Sequence, residues 1–254
     1  MNDNRSLNSR SINHILEVGT PYPLFESYLN SYSEYIDIVK FGWGSALVDS
    51  DFLRKLGLCK QLNIVPVLGG TFFEYMIYHY NFAEFLRHID LYDLDCIELS
   101  RGTIDIDDSI YCSYIKNLSS KFFVMSEVGR KTSNPELALS PQEWIQHCEI
   151  SAESGASLII LESRESGLSG YVSDGGQVDS VLLESITARL PIDSFLFEAP
   201  IKSVQTYLIN RFGPLVNLGN ISLDDIVAVQ SLRKGLRSDT LLTLSPGFQF
   251  DTLI

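Results

Sequence analysis

The chain has 254 residues, 45% of them hydrophobic and 20% charged, with a mean hydropathy of +0.08. That length suits one large domain or two small ones, with ample chain for a core. Thirty-two acidic residues against nineteen basic ones leave a formal net charge of -13, which opposes nucleic-acid binding. No run of about 18 apolar residues is present, so no membrane span is expected.

Residues 1–11 open the chain as a polar lead without the apolar centre of a signal peptide, and disorder is expected there. Short apolar runs then recur at regular intervals. They are Ile15–Glu17, Ile36–Val39, Ile64–Leu68, Cys96–Leu99, Phe122–Met125, Leu158–Leu161, Phe195–Phe197 and Leu215–Leu218. Continuous apolar runs of this length suit strands of a parallel sheet buried on both faces. Helical patterns fill the intervals. Phe82, Phe85, Leu86 and Ile89 repeat at helical spacing, Ser140-Pro141-Gln142-Glu143 is a capping box, and Ser222 opens a helix that stops near Gly235. Eight strand–helix units predict an α/β fold, a (β/α)8 TIM barrel forming a single domain over residues 12–245 with a tail at 246–254. An open doubly wound sheet is the rival, weakened by the lack of a GxGxxG turn after the first strand.

In such a barrel the chemistry belongs at the C-terminal strand ends. Those positions hold Glu17, then Lys40 with Phe41-Gly42-Trp43-Gly44, then Gly69-Gly70-Thr71 with Glu74. Glu98, Ser100 and Arg101 follow, then Glu127, Arg130 and Lys131, and then Glu162, Arg164 and Glu165. The last two strands supply Glu198 with Lys202, and Asn217, Gly219 and Asn220. A ring of carboxylates and cations is costly to desolvate unless paired or ligated, and it points to an anionic ligand with an oxygen-liganded metal. Asn217-Leu218-Gly219-Asn220 falls where barrels often bind phosphate, and Arg237 could reach the same region. The histidines, His14, His79, His88 and His147, lack HExxH spacing. Cys59, Cys96, Cys112 and Cys148 form no CxxC pair and read as small hydrophobes in a reducing, cytoplasmic setting.

From about Ile15 to Leu241 the chain resembles the phosphosulfolactate synthase family, which includes related plant heat-stress-associated proteins. The resemblance rests on Ile38-Val39-Lys40-Phe41-Gly42-Trp43-Gly44, Gly69-Gly70-Thr71-Phe72-Phe73-Glu74, Ser126-Glu127-Val128-Gly129-Arg130-Lys131 and Arg164-Glu165-Ser166-Gly167. It continues through Phe197-Glu198-Ala199-Pro200, Val216-Asn217-Leu218-Gly219-Asn220-Ile221 and Leu232-Arg233-Lys234-Gly235-Leu236-Arg237. It implies a barrel that adds sulfite to C3 of phosphoenolpyruvate with Mg2+.

The expected catalytic group is Lys131, Lys40, Arg101 and Glu165, with Lys131 as the acid, its pKa lowered by desolvation beside other cations. Arg130, Arg164, Lys202, Asn217, Gly219, Asn220 and Arg237 would bind substrate. Metal ligands would come from Glu98, Glu127, Glu162 and Glu198. The expected partners are a small phosphoenolpyruvate-like anion and sulfite or another nucleophile, with homo-oligomer formation left open. Relatives typically carry Asp-Lys-Gly and Ser-Asp-Gly where this chain has Glu17-Val18-Gly19 and Ser100-Arg101-Gly102. Loss of a cation at 18 and gain of one at 101 are expected to be linked. The alternatives are a divergent enzyme using another nucleophile on a related enol substrate, and a non-catalytic stress-related barrel.

Overall fold

The computed structural model describes residues 11–131, 138–163, 170–173 and 176–244. Eight parallel strands are rolled into a nearly closed barrel: β1 Asn13–Glu17, β2 Ile38–Phe41, β3 Val65–Leu68, β4 Cys96–Leu99, β5 Phe123–Val128, β6 Leu158–Leu161, β7 Phe195–Glu198 and β8 Leu218–Ile221. Around the ring the order is β3-β2-β1-β8-β7-β6-β5-β4. Among the described residues no backbone ladder joins β3 to β4, so the barrel has one seam.

Nine α-helices surround the strands among the described residues: α1 Tyr22–Tyr32, α2 Phe52–Gln61, α3 Gly70–His79, α4 Phe82–Tyr92, α5 Asp108–Ser119, α6 Pro141–Glu153, α7 Ser180–Thr187, α8 Lys202–Phe212 and α9 Ile226–Arg233. The unit after β3 has two helices, α3 and α4, and a short hairpin, Val172–Ser173 with Gln177–Val178, lies between β6 and α7. The capping box at Ser140 forms as its sequence requires. Ser140 Oγ accepts the Glu143 N–H while the Glu143 carboxylate accepts the Ser140 N–H at 2.7 Å. No helix among the described residues is long and apolar enough to cross a membrane.

The strands alternate inward and outward, and this places the site. Ile38, Val67, Cys96, Met125, Ile160 and Leu196 belong to a buried cluster separate from the larger one between strands and helices. They fill the barrel floor. Two residues further along the same strands stand Lys40, Glu98, Glu127, Glu162 and Glu198, with a period of two putting them on the same inner face one layer up. Glu17 falls on the other parity. It leaves the barrel interior, and its Oε1 accepts the Gly19 and Thr20 N–H groups and Lys55 Nζ at 2.7–2.8 Å.

The last strand is displaced from its expected position. Leu215 and Val216 give an apolar start, but Leu215 is 71% exposed and β8 runs from Leu218 to Ile221. Asn217 therefore sits at the N-terminal end of β8, where its side chain accepts the Ile12 N–H at 2.9 Å and donates to the Phe195 carbonyl at 2.9 Å.

Arg233, buried in the last turn of α9, closes the same end. It donates to Asn13 Oδ1 at 2.9 Å, to the Val216 carbonyl at 2.8 Å and to the Pro214 carbonyl, tying β1 to the chain entering β8. Burial lowers its pKa to about 10, with Asp37 opposing the shift. Arg233→Ala strands these acceptors away from water and is expected to cost about 3 kcal/mol of stability. Urea unfolding measures it, and a variant within about 0.5 kcal/mol of the parent, the spread of an ordinary surface substitution, would show that Arg233 does not hold the closure.

Candidate active site

A cavity of about 460 Å³ opens at the C-terminal ends of the strands, and Lys40, Lys131, Glu98, Glu127, Glu162 and Glu198 line it. Glycine makes part of the wall. A Cβ on Gly70 would lie 2.4 Å from Ser100 Cβ, so only glycine lets the first turn of α3 come this close to the end of β4.

Lys40 Nζ stands 3.2 Å from Glu98 Oε1 and 3.1 Å from Glu198 Oε1. Burial opposes the charge on Lys40, but Glu98 and Glu198 outweigh it and hold the pKa above the usual lysine value. One ammonium cannot neutralise two buried carboxylates. Desolvation thus keeps Glu98 and Glu198 above the ordinary glutamate range, despite the opposing pull of Lys40. Glu98 Oε1 also accepts the Gly70 N–H at 2.6 Å, and Glu198 Oε2 accepts the Ser163 N–H at 3.1 Å.

Lys131 centres a second cluster. Its Nζ lies 2.7 Å from Glu127 Oε1, 3.1 Å from Glu74 Oε1 and 3.0 Å from Ser100 Oγ. The expectation of a lowered lysine pKa is overturned. Burial pushes it down, but Glu127, Glu74 and Glu162 push it further up, well above the usual value. In turn Glu127, although desolvated, is held below the ordinary range by Lys131 and then Lys40. Lys131 is a cation among anions.

Glu74 and His14 were not assigned a role from sequence. Glu74 is on a helix, and its Oε2 accepts the Thr103 and Ile104 N–H groups at 2.7 and 3.0 Å. It fastens α3 to the loop after β4. The signal was its place one turn after Gly70, at a strand end. His14 is fully buried on the inner face of β1, and its Nδ1 accepts the Asn220 N–H at 3.3 Å. The neutral ring therefore carries its proton on Nε2, which faces Glu98 Oε2 at 3.8 Å. Desolvation, and then Lys40, hold the His14 pKa well below its ordinary value. Its alternation with Leu16 was the only sequence signal.

Other expected site residues lie elsewhere. Arg101 turns to Asp108 on α5, donates to the Ile106 carbonyl at 3.3 Å and stacks 4.6 Å over Tyr111, away from the cavity lining. The compensation expected between positions 18 and 101 has no basis in this geometry. Val18 is 37% exposed. Arg130 pairs with Asp105 at 2.7 Å, while Lys202 and Arg237 both reach Asp239, at 2.8 and 3.7 Å. Of the expected phosphate cradle, Asn220 lines the cavity, Gly219 lies within β8, and Asn217 is at the far end of that strand. Arg164 and Glu165 fall outside the described residues.

Among the described residues no group of three His, Cys, Asp or Glu side chains is gathered closely enough to chelate a cation alone. Mg2+ commonly takes one or two carboxylates and completes its shell with water and substrate oxygens. The cavity fits that pattern. Its lining holds two more carboxylates than ammoniums, and Glu98 Oε2 is buried with no hydrogen-bond partner among the described residues.

The sequence profile of the (2R)-phospho-3-sulfolactate synthase family, ComA, matches residues 5–239. The phosphosulfolactate synthase of Bacillus subtilis (strain 168) is 37% identical over 227 residues, 89% of this chain and 90% of that protein. That of Methanocaldococcus jannaschii is 36% identical, covering 91% of this chain and 94% of that one. Among solved structures, 3-keto-L-gulonate-6-phosphate decarboxylase from Vibrio cholerae superposes with a TM-score of 0.57 at 12% identity, covering 93% of this chain and 100% of that one. At that identity the likeness concerns the barrel alone.

Removing Lys131 leaves Glu74 and Glu127 buried against each other. Lys131→Met is expected to lose about 3–5 kcal/mol at pH 8, the usual cost of stripping one partner from a buried pair. In the parent, the depressed Glu127 pKa contributes stability above its unfolded value, which is lost as pH falls through the folded one. In the variant Glu127, without the Lys131 ammonium that held its pKa down, takes up a proton more readily, so the deficit should shrink toward pH 5. Adding Glu127→Gln should recover part of it. Urea unfolding at both pH values checks this, and an equal deficit at each would mean that Lys131 is not held by charge.

Proposed function

Because this chain belongs to the phosphosulfolactate synthase family, we propose that it adds sulfite to C3 of phosphoenolpyruvate to give phosphosulfolactate. The observation that carries this reading is the pair of ammoniums, buried Lys40 and partly buried Lys131, set among glutamates at the C-terminal strand ends of a barrel matched by the family over most of its length.

In the addition the sulfite sulfur bonds to C3, and the π electrons move through C2 into the carboxylate as an enediolate. A proton then arrives at C2. Lys40 and Lys131 offer fixed positive charge to the anion, already oriented by their carboxylates, so no reorganisation is needed as charge moves. Lys131 is the proposed proton donor. Its raised pKa is no obstacle, since an enediolate is far more basic than a lysine amine. Glu127, Glu74 and Glu162 keep the ammonium protonated until that base forms, and the partly exposed Lys131 side chain can be reprotonated from solvent. Ser100 holds Lys131 in register, with Oγ accepting from Nζ at 3.0 Å.

Glu98, with Glu127, Glu162 or Glu198, would hold Mg2+, which when bound supplies the charge needed to bring a polyanion against a carboxylate-rich wall. That excess of carboxylates supports a divalent cation on electrostatic grounds. The second reading keeps the enol phosphate and replaces sulfite with another nucleophile. Valine at position 18, where the resemblance implies lysine, favours it, because Val18 lies beside Gly42 at the edge of the cavity and brings no cation there.

Purified protein supplied with Mg2+, phosphoenolpyruvate and sulfite is expected to yield a sulfonated phospho-acid by mass spectrometry. EDTA should abolish the product, and Mg2+ should restore it. Folded protein that binds phosphoenolpyruvate but makes no sulfonated product would favour the second reading.

A further inference from the structure

The turn after β2 carries a tryptophan in a conformation that tryptophan rarely adopts. Trp43 has φ +53° and Gly44 φ +70°, and the Ser45 N–H donates to the Gly42 carbonyl at 2.9 Å. Two consecutive positive φ values closed by this hydrogen bond are the signature of a type I′ turn, whose first central position favours asparagine, aspartate or glycine. A bulky side chain there is strained.

The strain is not offset by burial, since Trp43 is 64% exposed. Nor is the turn free to move. The Gly42 N–H donates to the Glu17 carbonyl at 2.9 Å, and a Cβ on Gly69 would lie 3.3 Å from Gly42 Cα, so the turns after β2 and β3 abut. The indole is thus carried on a fixed turn, and rotation of its side chain is the motion left to it. It lines the same cavity as Lys40 and Glu98.

We infer that Trp43 is a substrate-covering residue: its indole closes over a small phosphorylated carboxylate in the cavity, and its Nε1–H donates to an anionic oxygen of that ligand. This deepens the proposed function and rests on it. The chemistry matches an aromatic edge rather than a face, because the ring face is electron-rich and repels an anion while the N–H edge attracts one. The ring also excludes water from the enediolate, and the strained backbone of the fixed turn keeps the indole at the cavity.

The chain has two tryptophans, and Trp144 is buried on α6. In full-length Trp144→Phe protein with Mg2+, saturating phosphoenolpyruvate is expected to cut acrylamide quenching of Trp43 fluorescence several-fold. In the otherwise native chain, Trp43→Asn suits the turn, so its thermal midpoint should hold or rise. Its calorimetric Kd for phosphoenolpyruvate should weaken by roughly tenfold or more, the loss of a hydrogen bond to a charged group. Calorimetric binding with unchanged quenching, or an unchanged Kd in Trp43→Asn, overturns the inference alone. Quenching that is weak without ligand and grows on dilution assigns the indole to a contact between copies and also overturns it. No binding heat from phosphoenolpyruvate removes the functional reading and this inference with it.

Discussion

Two ammonium groups hold the mouth of this barrel together. Lys40 and Lys131 are each shared by two glutamates; Glu98, Glu74 and Glu198 in turn receive backbone N–H groups from the segments after β3, β4 and β6, and Glu127 accepts the Ser100 hydroxyl after β4. Buried ion pairs are poor sources of net stability, because desolvation consumes most of the Coulombic gain. Their value here is geometric. Each glutamate that binds a lysine also fixes a loop, so the positions of the charges and the shape of the cavity are set by one network. The apolar layer beneath it, from Ile38 to Leu196, gives that network a dry floor, which strengthens every interaction above it.

Much of this was legible because parallel strands buried on both faces are apolar almost throughout. A charged residue ending such a run stands out, and Lys40, Glu98, Glu127, Glu162 and Glu198 all line the cavity. Parity was less legible. Continuous apolar runs do not declare which residues face the barrel axis, so Glu17, one residue out of phase, looked equivalent to the others. The error at Asn217 has the same origin: Leu215-Val216 reads as a strand start, and only the register with β7, Leu218 opposite Phe197, moves the strand onward.

Roles that depend on neighbours distant in sequence were not legible at all. Glu127, four positions before Lys131, is its main partner, but the anionic setting is completed by Glu74, 57 positions away, on a helix whose pattern looks ordinary. Arg101 follows the same logic with the opposite outcome. Asp108, the Ile106 carbonyl and the Tyr111 ring hold its guanidinium outside the cavity. Sequence supplies the charges at the strand ends; the fold decides which of them face inward.

The seam between β3 and β4 changes the meaning of this arrangement. Every other junction in the ring is laced by backbone hydrogen bonds, which take no notice of what occupies the cavity. At this one the fastening passes through Glu98 to Gly70 and through Glu74 to Ser100, Thr103 and Ile104. A ligand that competes for Glu98 or for Lys131 pulls on the same side chains that keep the two strands together. The barrel therefore resembles a clasped bracelet rather than a welded ring, with the clasp placed inside the reaction chamber, so that occupancy and mechanical tension around the circumference become a single variable.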